Sequence, residues 1–216
     1  MEDSLRLKSV LLLLGIMISQ VQATEKQQII LYTYHHKPPF IVDEQHSTGL
    51  YYDLASYLSN RSDRYKFIAA YIPRKRLDYL LNEKQLEGIV IGVNPLWFND
   101  MHETRYLWSN TFYHDRDEFV SLASSPFEFT TSKSLEGITV AGVAGFYYHD
   151  VNELVSKGKT LRIDTIGEEQ VLTLIQKKRA DVGIVSLSVF KYLKRHSGLT
   201  DTFHFSAIPH DVFARR

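Results

Sequence analysis

The sequence has no cysteine among its 216 residues. This absence excludes disulfide bonds, zinc–thiolate centres, thiolate nucleophiles and a lipid anchor attached through cysteine. The chain also lacks an excess of charge of one sign, because 25 Lys and Arg residues balance 25 Asp and Glu residues. Binding to nucleic acid requires a basic surface that meets the phosphates, so the balanced charge argues against such a partner.

The motifs of common hydrolases and nucleotide-binding enzymes are missing as well. The chain contains neither Gly-x-Ser-x-Gly nor the phosphate loop Gly-x-x-x-x-Gly-Lys. Two Ser-x-x-Lys spacings, Ser156–Lys159 and Ser188–Lys191, lack the further motifs of β-lactamases. Asp115 and Asp117 are interpreted as part of a charged link rather than as a pair of glycosidase acids. The nine histidines include no His-x-x-x-His pair with a Glu, so we predict no metal site, no cofactor and no enzymatic activity.

Long apolar runs are absent except near the N-terminus. Two basic residues precede an apolar stretch, Val10 to Ile18, and the small-residue motif Val21-Gln22-Ala23 follows it. The stretch is shorter than the ~20 residues of a membrane-spanning helix, so residues 1–23 are predicted to be a signal peptide cleaved after Ala23. An uncleaved N-terminal anchor is the alternative. Either interpretation places the remaining chain outside the cytoplasm, and the lack of cysteine favours the periplasm.

Segments of strand-like and helix-like spacing alternate along the rest of the chain. The predicted strands are the apolar runs at 28–33, 66–72, 88–93, 119–122, 139–143 and 181–185. Repeated βα units predict an α/β fold with a mainly parallel sheet, which binds ligands at the carboxyl ends of its strands. The charged segment from His114 to Ser121 is the candidate link between two lobes, and a second crossing is predicted near Ser206 to Pro209.

Six short motifs occur in order between residues 29 and 193. They are Pro38-Pro39-Phe40, Gly49-Leu50-Tyr51-Tyr52-Asp53-Leu54-Ala55, Glu87-Gly88-Ile89-Val90-Ile91-Gly92, Leu107-Trp108-Ser109 with Phe112-Tyr113, Leu135-Glu136-Gly137-Ile138-Thr139-Val140-Ala141-Gly142-Val143 and Arg179-Ala180-Asp181-Val182-Gly183-Ile184-Val185. Together they resemble the motifs of the amino-acid type of extracellular solute-binding proteins, known as family 3. The resemblance implies a type II periplasmic-binding-protein fold, in which two α/β lobes close about a hinge on a small polar ligand.

The resemblance also implies a division of the chain into lobes. Lobe one is expected at 24–118, lobe two at 119–206, and the start of a return to lobe one at 207–216. Members of the family finish with a further strand and helix, whereas this sequence stops at Arg216. We therefore expect the C-terminal part of lobe one to be missing, as in a truncated product or an incomplete lobe.

Three positions depart from the pattern of amino-acid binders. The arginine that grips the ligand carboxylate in the family falls on His102, and the aspartate that receives the ligand ammonium falls on Ser186. The hydroxyl residue of lobe two falls on Phe146. A histidine does not reproduce a bidentate arginine–carboxylate pair, so we predict that the ligand is not an ordinary α-amino acid.

The candidate ligand-binding residues follow from the ends of the predicted strands and from the motif register. They are Tyr34, Lys37, Phe40, Arg74, Arg76, Asn94, Trp97, His102, Gly145, Phe146, Tyr147 and Ser186. The basic members of this set would make lobe one electropositive and favour an anionic or hydroxylated ligand, helped by free amides at a helix start near Gly145. Alternatively, Arg74 and Arg76 belong to a solvated helix start that pairs with Asp78 or Glu83. Trp97 is predicted either to stack on a ligand ring or to pack in the core.

These observations predict a monomeric periplasmic binding protein that delivers a small polar ligand to the permease of an ABC-type importer. A soluble extracellular sensor that acts on a membrane partner is the alternative, because the same fold serves in membrane kinases and cyclases. A truncated, non-functional member of the family is a third interpretation.

Overall fold

The computed structural model describes residues 25–199 and 202–216. The predicted signal peptide, residues 1–23, lies outside the described residues. None of the helices in the described part is long and apolar enough to cross a membrane.

The first lobe is a three-stranded parallel sheet covered by helices. Its elements are β1 (Gln27–Thr33), α1 (Leu50–Asn60), β2 (Tyr65–Tyr71), α2 (Arg74–Asn82) and β3 (Ile89–Val90). The strand order is β2-β1-β3. Helix α1 turns Tyr51 and Ala55, one helical turn apart, onto the sheet, where they join a core that includes Leu31 and Phe40. Gly92 follows β3 with a φ of 76°, and a Cβ there would lie 1.7 Å from Tyr51 Oη, so only glycine fits.

The second lobe is a six-stranded sheet with helices on both faces. Its elements are β4 (Tyr113–Leu122), β5 (Thr139–Val143), α3 (His149–Ser156), β6 (Leu161–Thr165), α4 (Glu168–Gln176), β7 (Val182–Ser186), α5 (Leu187–His196), β8 (Phe203–Phe205) and β9 (Asp211–Arg215). Strands β6, β5 and β7 are parallel, while β4 is antiparallel to β7, β8 and β9. Helices α4 and α5 contribute Val171, Ile175, Val189 and Leu193 to one core layer. Helix α3 packs Val151 and Leu154 into the other. The two sheets confirm the predicted α/β class.

Two antiparallel strands connect the lobes. The first half of β4 pairs with β9, from Tyr113 opposite Arg215 to Asp117 opposite Asp211. Beyond β9, the Arg216 carbonyl accepts a 2.7 Å hydrogen bond from the Gly92 N–H. The Arg216 N–H in turn donates to the Val93 carbonyl at 2.8 Å. The end of the described chain is therefore bonded into lobe one, and we refer to β4 and β9 as the connecting pair.

The segment His114 to Ser121, predicted as a link between the lobes, belongs to the ten-residue strand β4, in which Asp115 and Glu118 are buried. One sequence expectation differs from the structure. The predicted helix start at Gly145 is wrong, because α3 begins four residues later, at His149. The hydroxyl of the intervening Tyr148 accepts a 3.1 Å hydrogen bond from the Val143 N–H. Its ring packs so closely against Gly142 that a Cβ there would lie 2.6 Å from it. This packing holds the residues before α3 in a loop.

Candidate functional site

The loop after β1 in lobe one meets the second lobe at a buried ammonium group. Lys37 lies in this loop, and its Nζ donates to Glu168 Oε1 and, at 2.7 Å, to Ser186 Oγ. Glu168 is the first residue of α4 and Ser186 the last residue of β7. The side chains of Lys37 and Glu168 are only 11% and 3% exposed. The contact thus lies at a strand carboxyl end and a helix start, where ligands of α/β sheets bind.

Two carboxylates surround the hydroxyl of Ser186. Its Oγ lies 2.7 Å from Asp117 Oδ1 and 3.1 Å from Glu168 Oε1, and its backbone N–H donates to Glu168 Oε2 at 2.8 Å. Burial raises the pKa of Asp117 to about 6; Lys37 opposes this shift and the nearby Glu168 adds to it. With both acids ionised, Asp117, Glu168 and Lys37 together carry one net negative charge. We call these three residues and Ser186 the ammonium seat.

Aromatic side chains from both lobes line the same region. The ring of His35 lies 5.5 Å from Trp97 of lobe one and 6.4 Å from Phe146 of lobe two, measured between centroids. Lys37 Nζ is 5.5 Å from the centre of the Phe146 ring. His35 is buried, and its Nδ1 has no hydrogen-bond partner. Burial, together with the charges of Arg215 and Lys37, lowers the His35 pKa well below 6.5, so the ring is neutral and can donate or accept a hydrogen bond.

The predicted basic surface of lobe one does not converge on this region. Arg74 Nε donates to Asp78 at 2.8 Å and its Nη2 to the Trp97 carbonyl at 2.9 Å. Arg76 is exposed, with its guanidinium near the ring of Tyr79. His102 is exposed. Arg74 therefore lies at a helix start and pairs with Asp78, which was the alternative interpretation from the sequence.

The remaining sequence candidates divide between core and surface. Phe40 is fully buried and stacks on Tyr51, which places it in the core of lobe one rather than on the cleft surface. Tyr34 packs on His35, and burial raises its pKa to about 12. Asn94 accepts a hydrogen bond from the Trp97 N–H and so caps a short 3-10 helix.

Two candidates sit in the loop before α3. Gly145 has a φ of 81° with open space around it. Tyr147 is 74% exposed. The structure therefore brings five members of the predicted set together: Tyr34, Lys37, Trp97, Phe146 and Ser186.

Sequence reasoning missed His35, Asp117 and Glu168. Asp117 was interpreted only as part of a charged link. The signal for Glu168 was present in Gly167-Glu168-Glu169, since acidic residues are typical of the first turn of a helix. Within 25–199 and 202–216, no three His, Asp or Glu side chains are grouped to hold a metal.

The chain matches no protein-family model, and the search of curated proteins finds no match either. Solved structures do match. An arginine-bound Gly52Ala mutant of ArgBP from T. maritima has a TM-score of 0.60 at 15% identity, covering 87% of this chain and 86% of the other.

Two further structures match to the same extent. The GluR0 ligand-binding core from Nostoc punctiforme, in complex with L-glutamate, has a TM-score of 0.61 at 15% identity and covers 86% and 82% of the two chains. A substrate-binding protein of an ABC uptake transporter from Streptococcus pneumoniae, with bound histidine, has a TM-score of 0.60 at 15% identity and covers 87% and 78%. These likenesses confirm the predicted type II periplasmic-binding-protein-like fold.

Proposed function

We propose that this chain is a solute-binding protein that closes its two lobes on a small polar ligand. The observation that carries the proposal is the contact between Lys37 of lobe one and the Glu168–Ser186 pair of lobe two. Charged and aromatic groups from both lobes converge there, at the edge of the sheets where α/β proteins bind ligands. The similar structures hold arginine, L-glutamate and histidine, which supports a small polar ligand.

We further propose that the ligand is not held through an α-carboxylate by an arginine. Arg74 is engaged by Asp78 and the Trp97 carbonyl, and Arg105 donates to Asn82 while lying over Tyr106. An anionic ligand is disfavoured too, because the ammonium seat contains two carboxylates and one ammonium. This differs from the electropositive lobe that the sequence suggested.

The proposed setting is the periplasm, with the permease of an ABC importer as partner and a single chain as the working form. The predicted signal peptide supports export. The likeness to a substrate-binding protein of an ABC uptake transporter supports the partner. We also propose that lobe one consists of the segment before β4 together with the end of β9, and lobe two of the segment between them.

The test is a thermal melt of the purified chain against panels of amino acids, amines, sugars and carboxylic acids. A ligand at 100 times its Kd adds about 2.7 kcal/mol of stability, which for a chain of this size raises Tm by roughly 5–10 °C. We expect one class to give such a shift, and Phe146→Ala to reduce it. The matched control is Tyr79→Ala, which removes an aromatic ring that is 51% exposed on α2. A Tm that responds to no class, or equally in both variants, would contradict a ligand site in this cleft.

A further inference from the structure

The ammonium seat has the donor and acceptor pattern of a site for a primary amine. An alkylammonium carries three N–H donors and no acceptor. Lys37 Nζ directs two of them at Glu168 Oε1 and Ser186 Oγ. The face of the Phe146 ring lies 5.5 Å away, within the range in which an aromatic ring attracts a cation.

Every acceptor of this seat belongs to lobe two. Asp117 lies on β4, Glu168 on α4 and Ser186 on β7, whereas Lys37 comes from lobe one on a flexible side chain. Glu168 also accepts a 2.8 Å hydrogen bond from the backbone N–H of Ser186, so this carboxylate has an anchor in lobe two that does not depend on the ammonium. The seat is thus built independently of the group that fills it.

The charge balance explains why a cation is needed there. Asp117 and Glu168 interact through Ser186 in a region of low exposure, where two carboxylates without a counter-charge are costly. Loss of the lysine ammonium would remove the ion-pair partner of Glu168 and would leave Asp117 with the charge of Arg215 alone to oppose its burial. We therefore expect a group that takes its place to be cationic and to offer two N–H donors, as Lys37 does.

From this we infer that three residues of the ammonium seat, Asp117, Glu168 and Ser186, form with the Phe146 ring a binding site for a primary ammonium group. Lys37 fills this site as a tethered competitor, and the external ligand is a small primary amine that displaces Lys37. The inference rests on the proposed function and names its ligand class. A quaternary ammonium has no N–H to donate, and a carboxylate has the wrong charge, so the seat rejects both.

The first experiment replaces the lysine side chain by a free amine. Lys37→Ala retains Cβ, so n-propylammonium supplies the missing three methylenes and the ammonium. We expect it to raise the Tm of Lys37→Ala in a saturable way by several degrees, at concentrations at least tenfold lower than wild type requires, because wild type must first release its own lysine. Propionate and trimethylpropylammonium should leave the Tm unchanged. The matched control is Lys26→Ala, whose exposed ammonium contacts only the Ser59 carbonyl, at 3.1 Å, among the described hydrogen bonds.

A second variant ties the effect to the seat. Glu168→Gln combined with Lys37→Ala should abolish the response to n-propylammonium, because the amide cannot supply the negative charge. Equal responses to n-propylammonium and trimethylpropylammonium, or a response that survives Glu168→Gln, would overturn the inference.

If Lys37→Ala does not fold, wild type itself decides the question. The side-chain ammonium of Lys37, detected by ¹⁵N NMR and assigned with Lys37→Arg, should shift as n-propylammonium is added and stay constant with propionate. A constant signal throughout would refute displacement. If sugars or acids stabilise wild type while no amine affects either form, the binding function stands and the ammonium seat fails. If no compound has an effect, both fail.

Discussion

Arg215 offers a test of how the connecting pair is attached to lobe one. Its side chain is 1% exposed; Nη2 lies 3.3 Å from Asp115 Oδ2 and Nη1 donates to the Gly92 carbonyl at 2.9 Å. Removal of one partner of a buried ion pair costs about 3–5 kcal/mol, since the other charge stays buried. Asp115 keeps two hydrogen bonds from Ser188, at 3.2 and 2.6 Å, so we expect the loss of stability in Arg215→Met to lie near the lower end of this range.

Urea unfolding and thermal melts measure this loss. A loss of about 3 kcal/mol corresponds to a fall in Tm of roughly 6–12 °C for a chain of this size. The neighbouring Arg216 is the matched control, because its ion pair with Glu103 joins side chains that are 25% and 42% exposed. Arg216→Met should cost less than about 1 kcal/mol. If the two arginine variants are equally stable, the buried pair is not what attaches the strand.

Three further predictions concern one glycine and two titrating groups. Gly92→Ala should lower the free energy of unfolding, measured in urea, by about 2–4 kcal/mol, because the added methyl group must displace the buried Tyr51 and the backbone has a positive φ. Gly158→Ala, at a φ of 67° with open space around it, should lower it by only about 1 kcal/mol. Burial lowers the pKa of His210 to about 4, below its ordinary 6.5, so its contribution to stability is lost as the pH falls from 7 to 5. The loss between pH 7 and 5 is about 2 kcal/mol, which corresponds to roughly 4–8 °C in Tm. His210→Gln should remove this part of the pH dependence of Tm, and an unchanged profile would refute the assignment. The raised pKa of Asp117 has the opposite effect on stability, because the folded state loses stability as the pH rises from 4 through 6. Asp117→Asn removes this effect, so in the same melts the Tm of the variant should fall more steeply than that of wild type as the pH is lowered from 6 to 4.

The elements that sequence predicted best are those whose sequence pattern is local. Strand β7 is buried at every position, and its residues 182–185 form a continuous run without polar side chains, which is typical of the middle of a parallel sheet. The helical stripe of Val171, Leu172 and Ile175 faces the core as its 3.6-residue period requires. These signals lie within a dozen residues and need no knowledge of the rest of the chain.

What sequence could not predict depends on distant partners. The acidic residues of β4 were interpreted only as a charged link. Asp115 accepts hydrogen bonds from Ser188 at the start of α5 and pairs with Arg215, one hundred residues away. Lys37 and Ser186 were selected as candidates from the ends of predicted strands and from the motif register. Glu168 lies beside them because one lobe packs against the other. No local sequence pattern predicts this packing.

The ammonium seat and the connecting pair share a strand, and this links ligand binding to lobe movement in the proposed function. Asp115 and Asp117 are two residues apart on β4, so their side chains leave the same face of the strand. Asp115 bonds the strand to Arg215 and, through it, to the Gly92 carbonyl of lobe one. Asp117 bonds it to Ser186 within the seat. In the proposed function, a cation that enters or leaves the seat would change the electrostatic field along β4, the strand about which the lobes would turn. Because Asp115 and Asp117 lie on this one strand, we expect ligand binding to affect lobe movement without any element between the seat and the connecting pair.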